Sequence, residues 1–193
     1  MSPGYGAPYP SSPEGFWYAL REVWLAPRRF FRRLDPGGGI VRPALFAAAV
    51  LYLNLLLGTF LRSILAGGFE YSLLYAPLLG LAVSAVLGPL LVAAFAALVL
   101  FVLDGTPSAR RMGPLFRALC YSTGPGVILW VPYGPVLAVP YGAYVATLAV
   151  RETLGVGWRR AAPATLIPLI ALMVLLALLG APLVSYPLPG SPL

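Results

Sequence analysis

Ionisable side chains that could do chemistry are few in this chain. All thirteen basic residues are arginine, six residues are acidic, and histidine is absent. Without an imidazole, the chain lacks the commonest general base and metal ligand. Cys120 is the only cysteine, so neither an intramolecular disulfide nor a thiolate metal cluster can form, and it is expected to pack as a small apolar residue. We therefore expect no enzymatic activity, no catalytic residue, no metal and no cofactor.

The densest group of charges is the arginine cluster in "PRRFFRR" near the N-terminus. Guanidinium groups bind phosphate and carboxylate through paired N–H donors. We expect anionic lipid headgroups as their partner, or an acidic surface of a membrane or cytosolic protein. Nucleic acid is not expected, because lipid phosphates lie closer to a membrane-bound stripe. The candidate binding residues are Arg28, Arg29, Arg32, Arg33, Trp24, Phe30 and Phe31. The alternative is a topology anchor that only obeys the positive-inside rule.

These arginines lie in a juxtamembrane segment, residues 14–42, whose apolar residues recur at helical spacing. Pro27 separates two short predicted helices, since proline suits a first helical turn. In the first helix Trp17, Leu20 and Trp24 share a face. In the second, aromatic residues oppose the arginines. Such a pattern predicts an amphipathic helix lying in the membrane interface.

The rest of the chain is apolar enough for a membrane, since 60% of all residues are hydrophobic and only 10% are charged. About 20 apolar residues cross a hydrocarbon core of about 30 Å as a helix. Polar and Pro/Gly punctuation divides the apolar sequence into five predicted spans, at about 43–66, 77–103, 115–131, 135–150 and 164–183. The predicted fold is an all-α integral membrane protein with a five-span domain at 43–183. A disordered Pro/Gly-rich cytosolic tail at 1–13 and an external tail at 184–193 flank it.

The stretch 115–150 is too long for one span, but dividing it into two leaves each one slightly short of the hydrocarbon core. We interpret it as a helical hairpin turned at "PYGP", where Pro132 and Pro135 lack amide protons. Pro125 is expected to kink the preceding helix and free the Tyr121 carbonyl, with Ser122, Thr123 or a neighbouring helix satisfying the exposed backbone. A re-entrant loop that never crosses the membrane is the rival interpretation.

Charge placement predicts the orientation of the chain. Twelve of the thirteen arginines fall before the first predicted span, in the loops after the second and fourth, or, for Arg117, at the start of the third, and only Arg62 falls on the other side. The positive-inside rule then puts the N-terminus in the cytoplasm and the C-terminus outside. This holds for five spans and equally for three.

Polar groups in the middle of the predicted spans are rare. Asn54 is the one strongly polar side chain there, and it is expected to make an interhelical hydrogen bond. Gly80, Ser84 and Gly88 form a small-residue face that packs either within the chain or between copies, so the oligomeric state stays open. The lack of mid-span ionisable groups disfavours a proton-coupled mechanism.

Motifs in both halves of the chain resemble the Yip family of Ypt/Rab-interacting multispan membrane proteins, especially its prokaryotic branch. "VWLAPRRFF" resembles the family's interfacial segment, and "RALCYSTGPGVILWVP" its Tyr-x-x-x-Pro helix and small-residue turn. "VATLAVRETLGVGWRRAAPATLIP" is similar to its fourth span, its Arg-Glu-containing cytosolic loop and its fifth span. The matching positions are Tyr121, Pro125, Arg151, Glu152, Gly155 and Ala161. We take Tyr121, Pro125, Pro132, Pro135, Arg151 and Glu152 as a candidate structural motif.

The resemblance implies a five-span, non-enzymatic membrane protein with a cytosolic N-terminus, serving vesicle traffic and membrane shaping in eukaryotic relatives. The Asp-Leu-Tyr-Gly-Pro signature of those relatives is absent, which argues against direct Rab binding. We therefore expect a Yip-like scaffold or adaptor in a prokaryotic cytoplasmic membrane. The alternatives are a small transporter or lipid-path protein that uses the broken hairpin, and an accessory subunit of a larger membrane complex.

Overall fold

The computed structural model describes residues 13–35, 37–65, 72–106 and 108–178, and their regular structure is helical throughout. The first four helices are α1 (Pro13–Leu25), α2 (Pro27–Arg33), α3 (Val41–Leu65) and α4 (Ser72–Asp104). The remaining elements are α5 (Ala109–Ser122), a 3-10 helix (Gly124–Ile128), α6 (Gly134–Leu154) and α7 (Trp158–Leu178). The predicted tails at 1–13 and 184–193 lie outside the described residues, apart from Pro13.

Three helical segments of the described chain are long and apolar enough to cross a membrane, Val41–Leu65, Pro77–Asp104 and Trp158–Leu175. The structure thus supports three candidate spans, not the five predicted. Helix α5 is too short, because its 14 residues rise only about 21 Å. Helix α6 has 21 residues, but its prolines, glycines and tyrosines and the Arg151–Glu152 pair make it less apolar than the three candidates.

Helix boundaries differ from the predicted spans at prolines that do not end a helix and at a glycine that does. Helix α4 begins at Ser72 and continues through Pro77 and Pro89. Proline is tolerated within membrane helices because neighbouring helices and side chains can satisfy the backbone carbonyl that it frees. Helix α6 extends past the predicted end at 150 and stops at Gly155, whose φ of 63° is left-handed. Glycine adopts that conformation without a Cβ clash, so it ends the helix sharply.

The small-residue face of α4 packs against α3 within the chain. A Cβ built on Gly88 would lie 3.5 Å from the Cα of Ala48, and one on Gly80 would lie 3.7 Å from the ring of Tyr52. Ser84 between them is buried. Close helix contact of this kind needs small residues, and the intramolecular alternative for this face is confirmed.

Helix α5 lies at the centre of the bundle, in contact with α1, α3, α4 and α6. Its residues from Leu115 to Ser122 are all buried. By contrast, Leu78, Leu90 and Phe101 on α4 are exposed and would face lipid. The apolar character of α5 is therefore explained by burial in protein.

Candidate membrane-interface site

Helix α1 packs into the bundle along one face. Ala19, Leu20 and Val23 are buried there, whereas Trp17 is 60% exposed. The sequence placed Leu20 on the lipid side with Trp17, but Leu20 is 8% exposed and packs in the core. An amphipathic pattern marks an apolar surface without distinguishing lipid from protein, and here protein covers the Leu20 face.

Trp24 fixes the end of α1 to the hairpin. Its indole Nε1 donates a hydrogen bond to the carbonyl oxygen of Gly124 at 3.3 Å. The hydroxyl of Tyr141 donates to the Trp24 carbonyl at 2.6 Å, and the two rings lie 5.3 Å apart. Trp24 therefore contacts the protein, where the sequence placed it toward lipid.

The aromatic residues of α2 also turn inward. Phe31 is 3% exposed, and Phe30 packs edge-on against Tyr121 at a centroid distance of 5.1 Å. Phe46 of α3 lies on the Tyr121 ring at the same distance. Tyr121, a motif residue, thus joins α2, α3 and α5. Its packing with Phe30 and Phe46, and that of Phe30 with Phe31 at 5.3 Å, explain why these rings of α2 do not face the bilayer.

The four arginines of α2 divide into two pairs. Arg28 and Arg32 reach Glu152 on α6, with nitrogen–oxygen distances of 3.5 Å and 3.0 Å. All four side chains are exposed, but Arg29 and Arg33 make no ion pair with Glu152 in the described structure. Of the candidate binding residues, the structure therefore leaves Arg29 and Arg33 directed outward and uses Arg28 and Arg32 to hold α2 on the bundle.

Glu152 is the acidic centre of this contact. Its side chain is only 11% exposed, and Arg151 lies 3.6 Å from its Oε1. Burial raises the pKa of the carboxyl, but the hydrogen bond from Arg32 and the charges of Arg32, Arg151 and Arg28 outweigh this and lower the pKa below its ordinary value. Glu152 is therefore ionised near neutral pH. Arg151 also lies over the ring of Trp158, 5.9 Å from its centroid.

Arg117 forms a second buried contact, between α5 and the chain that follows α2. The side chain is 5% exposed. Its guanidinium donates hydrogen bonds to the carbonyl oxygens of Gly113 at 3.3 Å, Asp35 at 3.4 Å, and Gly38. These bonds fix the connection between α2 and α3 against α5. Sequence reasoning missed this role, although Arg117 is the one charge between 115 and 150.

The break at the end of α5 behaves as its residue types predict. Helix α5 ends at Ser122 and gives way to the 3-10 helix, in which Pro125 is buried. The hydroxyls of Ser122 and Thr123 donate to the carbonyls of Leu119 at 2.8 Å and Cys120 at 2.7 Å. The two hydroxyls thus bond carbonyls next to the break, whereas the prediction concerned the Tyr121 carbonyl, which neither of them bonds.

Beyond the 3-10 helix, the chain turns at the predicted "PYGP" stretch. Tyr133 adopts a left-handed φ of 63° there. Pro132 is exposed beside it, and Pro135 lies in the first turn of α6. Asn54 of α3 reaches this hairpin, since its Nδ2 donates to the Gly126 carbonyl at 2.6 Å. The predicted role of Asn54 in joining helical elements is thus confirmed.

A family model described as the Yip1 domain matches residues 21–179. The chain belongs to the Yip1 family. No curated protein and no solved structure matches it. The match and the three apolar helices make it a multi-pass membrane protein, and its placement in the prokaryotic branch stays a prediction.

Two of the residues that carry the Yip1-family resemblance contact helix α2 of the N-terminal segment. Tyr121 contacts Phe30, and Glu152 contacts Arg28 and Arg32. These contacts join a segment near residue 30 to positions about 90 to 120 residues further along the chain. The family-like positions of this chain therefore hold the amphipathic segment on the bundle.

Proposed function

We propose that this Yip1-family chain is a non-enzymatic membrane scaffold or adaptor. Its arginine-rich face would bind anionic headgroups and position a partner protein for membrane organisation or trafficking. The observation that carries this proposal is the fixed placement of α2, since Glu152 holds Arg28 and Arg32 while Arg29 and Arg33 stay exposed. A binding surface ordered in advance loses less conformational freedom on association.

The proposal includes an orientation. The N-terminal segment and the loops before α5 and α7 would lie in the cytoplasm, and the chain after α7 would lie outside. The distribution of arginines supports this arrangement. In a prokaryotic cytoplasmic membrane, the exposed arginines of α2 would then face anionic lipid and cytosolic protein partners.

Cross-linking in native membranes tests the scaffold role. A photo-reactive amino acid is placed at Arg29, with a matched position at Leu90, which is exposed on the apolar surface of α4. We expect protein adducts and anionic-lipid adducts from position 29, and lipid adducts without headgroup preference from position 90. The proposal fails if position 29 captures no protein and shows no preference for anionic lipid.

A further inference from the structure

A cavity of about 410 Å³ lies where the connection between α2 and α3 passes over α5. Its wall includes Asp35 and Gly39 from the connection, Arg42 from the first turn of α3, and Arg117 and Tyr121 from α5. Pockets of this size hold small ligands or ligand headgroups. The cavity is separate from the ion-pair cluster around Glu152, since none of those arginines lines it.

The charge of this wall favours an anion. Arg117 is buried and held in place by backbone carbonyl acceptors, so its guanidinium keeps a fixed position at the cavity. Arg42 adds a second guanidinium, and two such groups are well suited to phosphate oxygens. Asp35 is the one carboxylate of the lining, and its Oδ1 accepts the amide hydrogen of Gly37 at 2.8 Å. The lining residues therefore keep a net positive charge.

The position of the cavity along α3 indicates where such an anion comes from. Val41, which lines the cavity, is the first residue of a candidate membrane span. Val41 is 65% exposed and Leu45, one turn further, is 61% exposed. The cavity thus lies at the end of a span, where headgroups are found, next to an outward apolar surface suited to acyl chains.

We propose that this cavity binds the phosphate group of an anionic membrane lipid. Arg42 and Arg117 contact the phosphate, and the acyl chains lie along Val41 and Leu45. This inference rests on the proposed scaffold function and adds a specific lipid-binding site to it. Its test uses purified protein without any partner. Loss of partner cross-linking and loss of this site are therefore separate results.

The test is native mass spectrometry of the purified full chain in detergent, titrated with phosphatidylglycerol or with phosphatidylcholine. Arg42→Gln removes one cation, and Gly39→Phe adds bulk at the wall without changing charge. A Cβ at Gly39 meets no atom within 4 Å, so this substitution is expected to fold. Arg159→Gln is the control, because Arg159 is exposed on the same proposed side of the membrane and does not line the cavity. A third arm adds excess inorganic phosphate.

We expect phosphatidylglycerol to be retained in preference to phosphatidylcholine. Arg42→Gln should weaken its binding about fivefold, since a cation near an anionic headgroup contributes about 1 kcal/mol. Gly39→Phe should weaken it at least as much, and Arg159→Gln should leave it unchanged. Equal retention of the two lipids, or equal affinity in all variants, overturns the site. Displacement of the lipid by inorganic phosphate overturns its assignment to a lipid.

Discussion

Glu152 accepts a hydrogen bond from the Nε of Arg32 at 3.0 Å, across 120 positions of the chain. This bond joins the juxtamembrane helix α2 to the end of α6. Phe30 strengthens the same junction by packing on Tyr121. The arginine-rich segment is therefore part of the folded body, and its attachment can be tested one side chain at a time.

Replacing Glu152 with glutamine should destabilise the protein by about 1 to 2 kcal/mol. The substitution removes the charge that holds Arg28 and Arg32, and charge-assisted hydrogen bonds are stronger than neutral ones. The arginines are 55% exposed, so water compensates part of the loss. Thermal unfolding of the full chain in detergent should show a melting temperature lower by a few degrees.

Asp104→Asn is the matched control for Glu152→Gln. Asp104 pairs with Arg111, but the Asp104 side chain is 27% exposed against 11% for Glu152, and ion pairs with exposed carboxylates contribute about 0 to 1 kcal/mol. We expect a smaller change for Asp104→Asn. Equal shifts in the two variants would show that the junction of α2 with α6 does not depend on Glu152.

Acid should weaken the same junction. The pKa of Glu152 is lowered in the folded protein from an ordinary value of 4.5, so folding favours the ionised form. Its contribution to stability is present above about pH 4.5 and is lost as the pH falls through the lower folded pKa. Melting temperatures of the wild type and Glu152→Gln should therefore differ at pH 7 and converge in acid. A constant difference between them at every pH would contradict this linkage.

The long apolar helices could be predicted from the sequence because composition alone marks them. Helix α3 (Val41–Leu65) closely follows the predicted span at 43–66. The segment 115–150 misled the prediction because burial in protein and burial in lipid select the same apolar residues. The central position of α5 depends on contacts with α3, α4 and α6, and helical periodicity does not encode these.

The sequence predicted which residues belong to the candidate site, but it did not predict most of the contacts between them. The sequence identified the arginine cluster and the Arg151–Glu152 pair. It did not predict that Arg28 and Arg32 form ion pairs with Glu152. Such a pairing needs the three-dimensional fold, since the residues are more than 100 positions apart. Trp24 shows the same limit, because its inward direction depends on the Gly124 carbonyl.

Asn54→Leu should destabilise the contact between α3 and the 3-10 helix by about 1 kcal/mol. It removes the bond of 2.6 Å from Nδ2 to the Gly126 carbonyl, which then keeps its bond from the Leu129 amide at 3.0 Å, and the loss of one hydrogen bond typically costs about 1 kcal/mol. The buried Oδ1 accepts no hydrogen bond within the described structure, so its removal offsets part of that cost. Thermal unfolding in detergent measures the net effect.

Thr59→Val provides the comparison for Asn54→Leu on the same helix. The Thr59 hydroxyl donates to the Leu55 carbonyl one turn earlier, so its loss affects only local backbone bonding. We expect a change within about 0.5 kcal/mol. If Thr59→Val proved as destabilising as Asn54→Leu, the bond across to Gly126 would have no special importance.

Tyr141→Phe should loosen α1 while leaving the rest of the bundle folded. It removes the hydroxyl that donates to the Trp24 carbonyl at 2.6 Å but keeps the ring. A loss of about 1 kcal/mol makes local opening about fivefold more frequent. Hydrogen exchange should be faster in residues 13–25 and unchanged in α4. Tyr144→Phe is the control because its exposed side chain stacks on Tyr141 and Trp158, and equal exchange in both variants would refute this role of the hydroxyl.

Reporter fusions should place Gly105 and Gly157 on the same side of the membrane and a fusion after Leu178 on the other. Helices α5 and α6 form a hairpin, so the chain returns to the side from which it entered, and α7 then crosses once. The arginines at 110, 111, 159 and 160 favour the cytoplasm for both loops. A cytoplasmic fluorescent reporter should be active at Gly105 and Gly157, and an externally active phosphatase should be active only after Leu178. Opposite sides for Gly105 and Gly157 would mean that the hairpin crosses an odd number of times, which would overturn the proposed orientation.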